Sequence, residues 1–168
     1  MQHYGVVAPG TLYRCGQPTP QELAELIERL SLRTVVSLRG LRDADDPDAW
    51  ERDERAVCVA RNVEFVTIPC NHKNPPTAAQ AEQFLALCRA AERRPVLVHC
   101  RLGQQRTLLF CALYRVHLDG LAPDAAEREM DALGFGAHKR RHRKLLAAFR
   151  ALARPPQSDV ADPLDSDS

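Results

Sequence analysis

The apolar run Val96-Leu97-Val98 leads directly into His99-Cys100. After five more residues comes Arg106, then Thr107, then a second apolar run from Leu108 to Leu113. No other segment constrains the chain as much. A short apolar run predicts a buried strand, the glycine-containing stretch after it a tight loop, and the longer run a buried helix. Cys100 then stands at the carboxyl end of a strand, and Arg106 at the start of a helix.

That placement has chemical consequences. A free thiol is mostly protonated at neutral pH, and the thiolate is the reactive form. Unpaired N–H groups and the dipole at a helix N-terminus favour the anion. A loop containing Gly103 can turn successive N–H groups inward as a nest, and a nest also suits phosphate oxygens. The expected phosphate-binding residues are Arg101, Leu102, Gly103, Gln104, Gln105 and Arg106. The Arg106 guanidinium is a permanent, planar fork for two oxygens. His99 is placed to brace the loop through a ring hydrogen bond, and Thr107 to donate its hydroxyl to the sulfur. The expectation is a phosphate-like dianion held against a thiolate.

His99, Cys100, Gly103, Arg106 and Thr107 occupy every fixed position of His-Cys-x-x-Gly-x-x-Arg-Ser/Thr. In this the segment resembles the protein tyrosine phosphatase superfamily. Further segments, in the same order, are similar to the small bacterial dual-specificity-like members: Leu12-Tyr13-Arg14-Cys15-Gly16-Gln17-Pro18, Arg33 to Arg39, Val66-Thr67-Ile68-Pro69, and Gly134-Phe135-Gly136. The resemblance spans residues 7–152. It implies a cysteinyl-phosphate mechanism, no metal and no cofactor, with a phosphorylated protein or a small phosphomonoester as substrate. Two departures stand out. Leu108 follows Thr107 where the family usually has Gly. Gln104 and Gln105 stand where many members carry charged residues, which argues against highly phosphorylated substrates.

Rhodanese-type sulfurtransferases offer a rival reading of Cys100. Their loop is typically one residue shorter and suits a persulfide, whereas the loop here fits a tetrahedral oxyanion. A second alternative is a phosphate-binding module with little turnover. It arises because the superfamily's general acid is an Asp on an upstream loop, and Ile68-Pro69-Cys70-Asn71-His72-Lys73-Asn74 contains no carboxylate. The candidate proton donors are His72, whose side-chain type titrates near working pH, and Asp43 in the segment after the second strand. Arg39 is a candidate to line the pocket, and Cys70 a candidate redox partner of Cys100.

Alternation of strands and helices predicts an α/β fold. We expect a central, mainly parallel sheet of four to five strands flanked by helices, as in protein tyrosine phosphatases. Strands are expected at 11–15, 33–38, 63–68 and 95–99. Helices are expected from the capping box Thr19-Pro20-Gln21-Glu22, over 48–61, from the capping box Thr77-Ala78-Ala79-Gln80 to 91, and over 108–118, 124–133 and 138–152. A phosphatase-like domain is expected over 1–153 and an acidic disordered tail over 154–168, where four Asp follow Pro155.

Of the 168 residues, 45% are hydrophobic and 27% charged, a balance suited to a globular domain. A net charge of +1 argues against bulk nucleic-acid binding. No apolar run approaches the ~18 residues of a membrane span, so no stable membrane association is expected. Six cysteines without Cys-x-x-Cys pairs indicate neither zinc nor a disulfide framework. His138 and His142 have metal-ligand spacing but lack a third ligand. A catalytic thiolate favours a reducing compartment, and a cytoplasmic location is expected.

Overall fold

Parallel strands need helical crossovers, and the chain supplies them in order. The computed structural model describes residues 1–40 and 49–155. Five strands are present among the described residues: β1 (Gly5–Ala8), β2 (Leu12–Cys15), β3 (Thr34–Ser37), β4 (Glu64–Thr67) and β5 (Val96–His99). They lie in the order β1-β2-β5-β3-β4; β1 pairs antiparallel with β2, and the remaining pairs are parallel. Six α-helices are described: α1 (Pro20–Leu30), α2 (Ala49–Ala60), α3 (Ala78–Arg89), α4 (Gln105–His117), α5 (Pro123–Ala132) and α6 (Arg143–Leu152).

Side chains alternate across a strand, and here they feed two cores. Tyr13, Cys15, Val35 and Leu97 pack with Leu23, Leu26 and Ile27 of α1 and Cys58 of α2. Leu12, Val36, Val96 and Val98 pack on the opposite face with Phe84 of α3, Leu109 and Phe110 of α4, and Phe149 of α6. Helix α4 is buried over eight consecutive residues, Thr107 to Tyr114, as expected of a helix enclosed between sheet and helices. Both capping boxes form, Thr19 with Glu22 and Thr77 with Gln80.

Three elements differ from expectation. Strand β1 was not anticipated. It has four residues without clear alternation, and it exists because the Pro9-Gly10 turn returns the chain onto β2, with Thr11 N–H donating to the Ala8 carbonyl at 3.0 Å. Helix α4 starts at Gln105, a turn before Leu108, so Arg106 and Thr107 belong to its first turn. The final helix starts at Arg143 rather than His138. Gly136 has a left-handed φ of 74°, and its carbonyl accepts from His142 Nδ1 at 2.9 Å, holding 136–139 in a turn and 140–142 in a single 3-10 turn. Residues 41–48, Asp43 among them, and the tail from 156 lie outside the described residues.

All six thiols are free and buried. Burial pushes Cys58, Cys70 and Cys88 up from the ordinary 9.0 to about 12, and raises Cys15 and Cys111 as well. In the unfolded chain these thiols lose protons near pH 9, whereas the folded chain retains them to higher pH. The stability they contribute is therefore complete below pH 9 and lost as pH rises from 9 toward 12. The urea midpoint should fall over that range. Replacing Cys58 and Cys88 with Ala should flatten the fall, and an unchanged slope would contradict the assignment.

Candidate active site

The register aligns Cys15 of β2 and Ser37 of β3 with His99 of β5, so three strands end together beneath Cys100. Carboxyl ends of parallel strands are where α/β sheets place their sites. The chain then turns tightly. Gly103 has a φ of 73°, and a Cβ there would lie 2.4 Å from Gly16 N and 2.5 Å from the Cys15 carbonyl carbon. From the other side, a Cβ on Gly16 would lie 3.0 Å from the Leu102 carbonyl group. The two backbones touch, and only glycine fits at Gly103.

Groups outside the loop hold its carbonyls. Gln17 N–H donates to the Arg101 carbonyl at 3.0 Å, and His3 Nδ1 to the Leu102 carbonyl at 2.7 Å. Gly103 N–H donates to Cys100 Sγ at 3.3 Å. The N–H groups of Arg101, Leu102, Gln104, Gln105 and Arg106 have no acceptor among the described residues. Carbonyls engaged from outside and N–H groups left available are the features of an anion nest. Arg106 Nη1 is docked on the Leu38 and Cys70 carbonyls at 3.2 and 3.1 Å, while its other nitrogens have no acceptor among the described residues.

His99 is fully buried. Its Nε2–H donates to the Glu54 carboxylate, and its Nδ1 lies 3.4 Å from the Cys100 carbonyl. Glu54 is only 3% exposed, and its second oxygen accepts from the Gln17 side chain at 3.1 Å. Gln17 Oε1 in turn accepts from Arg39 Nη1 at 2.7 Å, and the Arg39 guanidinium lies 4.3 Å over the Trp50 ring. A buried polar chain thus runs His99, Glu54, Gln17, Arg39 behind the loop. Burial, together with the nearby Arg106 and Arg101 cations, holds the Arg39 guanidinium below its ordinary value.

Thr107 differs from expectation in its contact. Its hydroxyl is buried without a hydrogen-bond partner, and the donor to the sulfur is Gly103 N–H. Leu102 points outward and is 47% exposed. His72 lines a cavity of about 200 Å3 together with Cys100, Arg101, Gln105 and Arg106. Its ring lies 5.2 Å from that of His142. Asp43 lies outside the described residues. A larger hollow, about 690 Å3, opens between α5 and α6, away from the loop. It carries no thiol, and its Glu127 and Arg150 pair with each other, so the smaller cavity is the candidate site.

Glu54, Gln17 and Gly16 were not singled out from the sequence. A signal for Glu54 did exist: Trp50, Glu54 and Cys58 recur at helical spacing on the inward face of α2, and a carboxylate on such a face requires a partner.

The family model described as "DSP-PTPase phosphatase fused to NAD+ Kinase" matches residues 8–145. The chain belongs to this dual-specificity-type phosphatase family. It is 39% identical over 127 residues to the dual specificity protein phosphatase TpbA of Pseudomonas aeruginosa strain UCBPP-PA14, matching 75% of this chain. It spans about half the length of the curated relatives it matches, 52% in that case. A crystal structure of P. aeruginosa TpbA superposes with a TM-score of 0.68 at 34% identity, covering 89% of this chain and 84% of that one. The catalytic domain of the Saccharomyces cerevisiae PP-IP phosphatase SIW14 superposes with a TM-score of 0.69 at 16% identity, covering 88% and 85%, and shows the shared fold.

Two substitutions test the geometry. Gly103→Ala should abolish binding of a tetrahedral oxyanion such as tungstate in calorimetry; retained affinity would mean the loop tolerates a Cβ. Glu54→Ala strips the acceptor from the buried His99 Nε2–H, while the half-buried Gln17 amide keeps the Pro18 carbonyl. It should lower urea stability by about 1–3 kcal/mol, and an unchanged midpoint would remove the polar chain from the account.

Proposed function

We propose that the chain is a cysteine-dependent phosphomonoester hydrolase of the phosphotyrosine and dual-specificity type. The observation that carries this reading is the loop itself: a cysteine sulfur receiving the Gly103 N–H in a loop whose other N–H groups have no acceptor among the described residues, with Arg106 at its end. Cys100 Sγ attacks phosphorus, and the ester oxygen leaves with the bonding pair. The loop N–H groups and the unengaged edge of Arg106 hold the equatorial oxygens. Water then attacks the cysteinyl phosphate and releases inorganic phosphate and the thiolate. The buried Thr107 hydroxyl turns toward the sulfur as that thiolate departs. Positive charge from Arg106 and the N–H groups meets the dianion, so the reading assigns no metal or cofactor.

His72 is assigned as the proton donor to the leaving oxygen, because it lines the cavity beside Cys100. Phosphotyrosine is the favoured substrate type, since a TpbA structure at 30% identity and a TM-score of 0.64, covering 91% of each chain, was solved in complex with it. The five buried thiols besides Cys100, all free, and a nucleophilic sixth suit a reducing compartment, and we place the protein in the cytoplasm. Among the described residues no helix is long and apolar enough to cross a membrane.

The test is hydrolysis of a chromogenic aryl phosphate in EDTA, beside sulfur transfer from thiosulfate to cyanide. We expect phosphate release that Cys100→Ser abolishes. Sulfur transfer without phosphate release would establish the sulfurtransferase instead, and vanadate binding without turnover would establish a binding module. His72→Ala should slow alkyl phosphates, which need a proton, by about 10²-fold or more. Aryl phosphates should be affected far less, and equal slowing of both would remove His72 as the acid.

A further inference from the structure

Among the described residues, several arginines far from the loop are paired: Arg55 with Glu51, Arg89 with Glu82, Arg93 with Glu64, and Arg115 with Asp119 and Glu129. The cations on the loop side are grouped. Lys73, Arg101, Lys139, Arg140, Arg143 and Lys144 are exposed, and none meets a carboxylate among the described residues. Two of them, Lys73 and Arg101, line the cavity over Cys100. The other four belong to the segment that turns into α6. That segment is anchored beside the cavity, because the buried His142 ring lies 5.2 Å from His72, another cavity-lining residue. Asp131, a carboxylate at this turn, is engaged by the Ala137 N–H at 2.7 Å.

Helix physics does not explain this arrangement. The first turn of α6 holds Arg143 and Lys144, no acidic residue and no side-chain cap. Cations at a helix N-terminus oppose the macrodipole and weaken the helix, so the folded chain keeps positive charge where folding alone disfavours it. The cavity itself, about 200 Å3, is below the usual size of ~300–1,000 Å3 for a small-molecule site. It accommodates a phosphoryl group and little more, and a small ester bound there would not reach Lys139 to Lys144. An extended chain leaving the cavity would.

We infer that the surface formed by Lys73, Arg101 and the 139–144 segment is a docking rim for a phosphorylated polypeptide with Asp or Glu residues flanking the phosphorylated residue. This rests on the phosphatase reading above and specifies its substrate class. Screened surface pairs are individually weak, so selectivity comes from several acting together, and it falls with added salt.

The experiment compares kcat/KM for two phosphotyrosine peptides of equal length, one flanked by Asp and Glu, the other by Asn and Gln. The enzymes are the full chain and its K139E/R140E variant, with 4-nitrophenyl phosphate as a substrate that does not reach Lys139 to Lys144. We expect the parent chain to favour the acidic peptide by about five- to tenfold. The variant should lose or reverse that preference while keeping its rate on 4-nitrophenyl phosphate. K139Q/R140Q, which is milder for folding, should fall between. Equal rates on both peptides with normal aryl phosphate turnover would overturn the rim alone, as would a preference that survives in K139E/R140E. A faster reaction with a small polyphosphorylated molecule than with either peptide would also overturn it. Absence of turnover on all three substrates would overturn the phosphatase reading, and the rim with it.

Discussion

The contact on which the site depends is the approach of two backbones, Gly103 over Gly16 and Cys15. A single added carbon at Gly103 would lie 2.4 Å from a backbone nitrogen, and backbone atoms cannot yield as the end of a flexible side chain can. This approach bends the chain sharply enough after Cys100 that the Gly103 N–H meets the sulfur while carbonyls turn outward to Gln17 and His3. The sheet makes the approach possible. Parallel pairing in register brings the ends of β2 and β5 side by side, so the residue after Cys15 and the loop after His99 must meet. Fold and site are two scales of one constraint.

The polar chain behind the loop supports that geometry at a cost. Removing the Glu54 carboxylate and the His99 ring from water is unfavourable, and buried pairs of this kind seldom add net stability. Breaking one side is expensive, however, because the other is left buried without a partner. The chain His99, Glu54, Gln17, Arg39 therefore acts less as a source of stability than as a device that admits one arrangement of the strand ends. Gln17 joins the two functions, since its backbone N–H holds the Arg101 carbonyl and its amide bridges Glu54 to Arg39. Arg101 and Arg106 lie close enough to Arg39 to lower its basicity.

The local signals in the sequence were strong where a single segment carried them. Cys100 to Thr107 could be read directly, because strand, loop and helix are contiguous there. Both capping boxes were legible for the same reason. What was not legible depended on contacts between distant segments. Glu54 lies 45 residues from His99 and Gln17 lies 37 from Glu54, and no spacing rule links them. Strand β1 is defined by its partner rather than by its own four residues. The start of the last helix was misjudged because a basic run with good helix formers hides the turn that Gly136 and His142 impose. The Thr107 hydroxyl was expected on the sulfur, yet the close backbone turn places the Gly103 N–H there instead.

The central claim is that this loop makes Cys100 the nucleophile and holds the phosphoryl group during transfer. The most direct measurement is a rapid acid quench during turnover of a radiolabelled aryl phosphate, followed by peptide mapping. The account predicts one labelled peptide, with phosphate on the Cys100 sulfur as a thiophosphate monoester, and no label in Cys100→Ser. Phosphate release with no label on Cys100 at any quench time, or label on another residue, would contradict it.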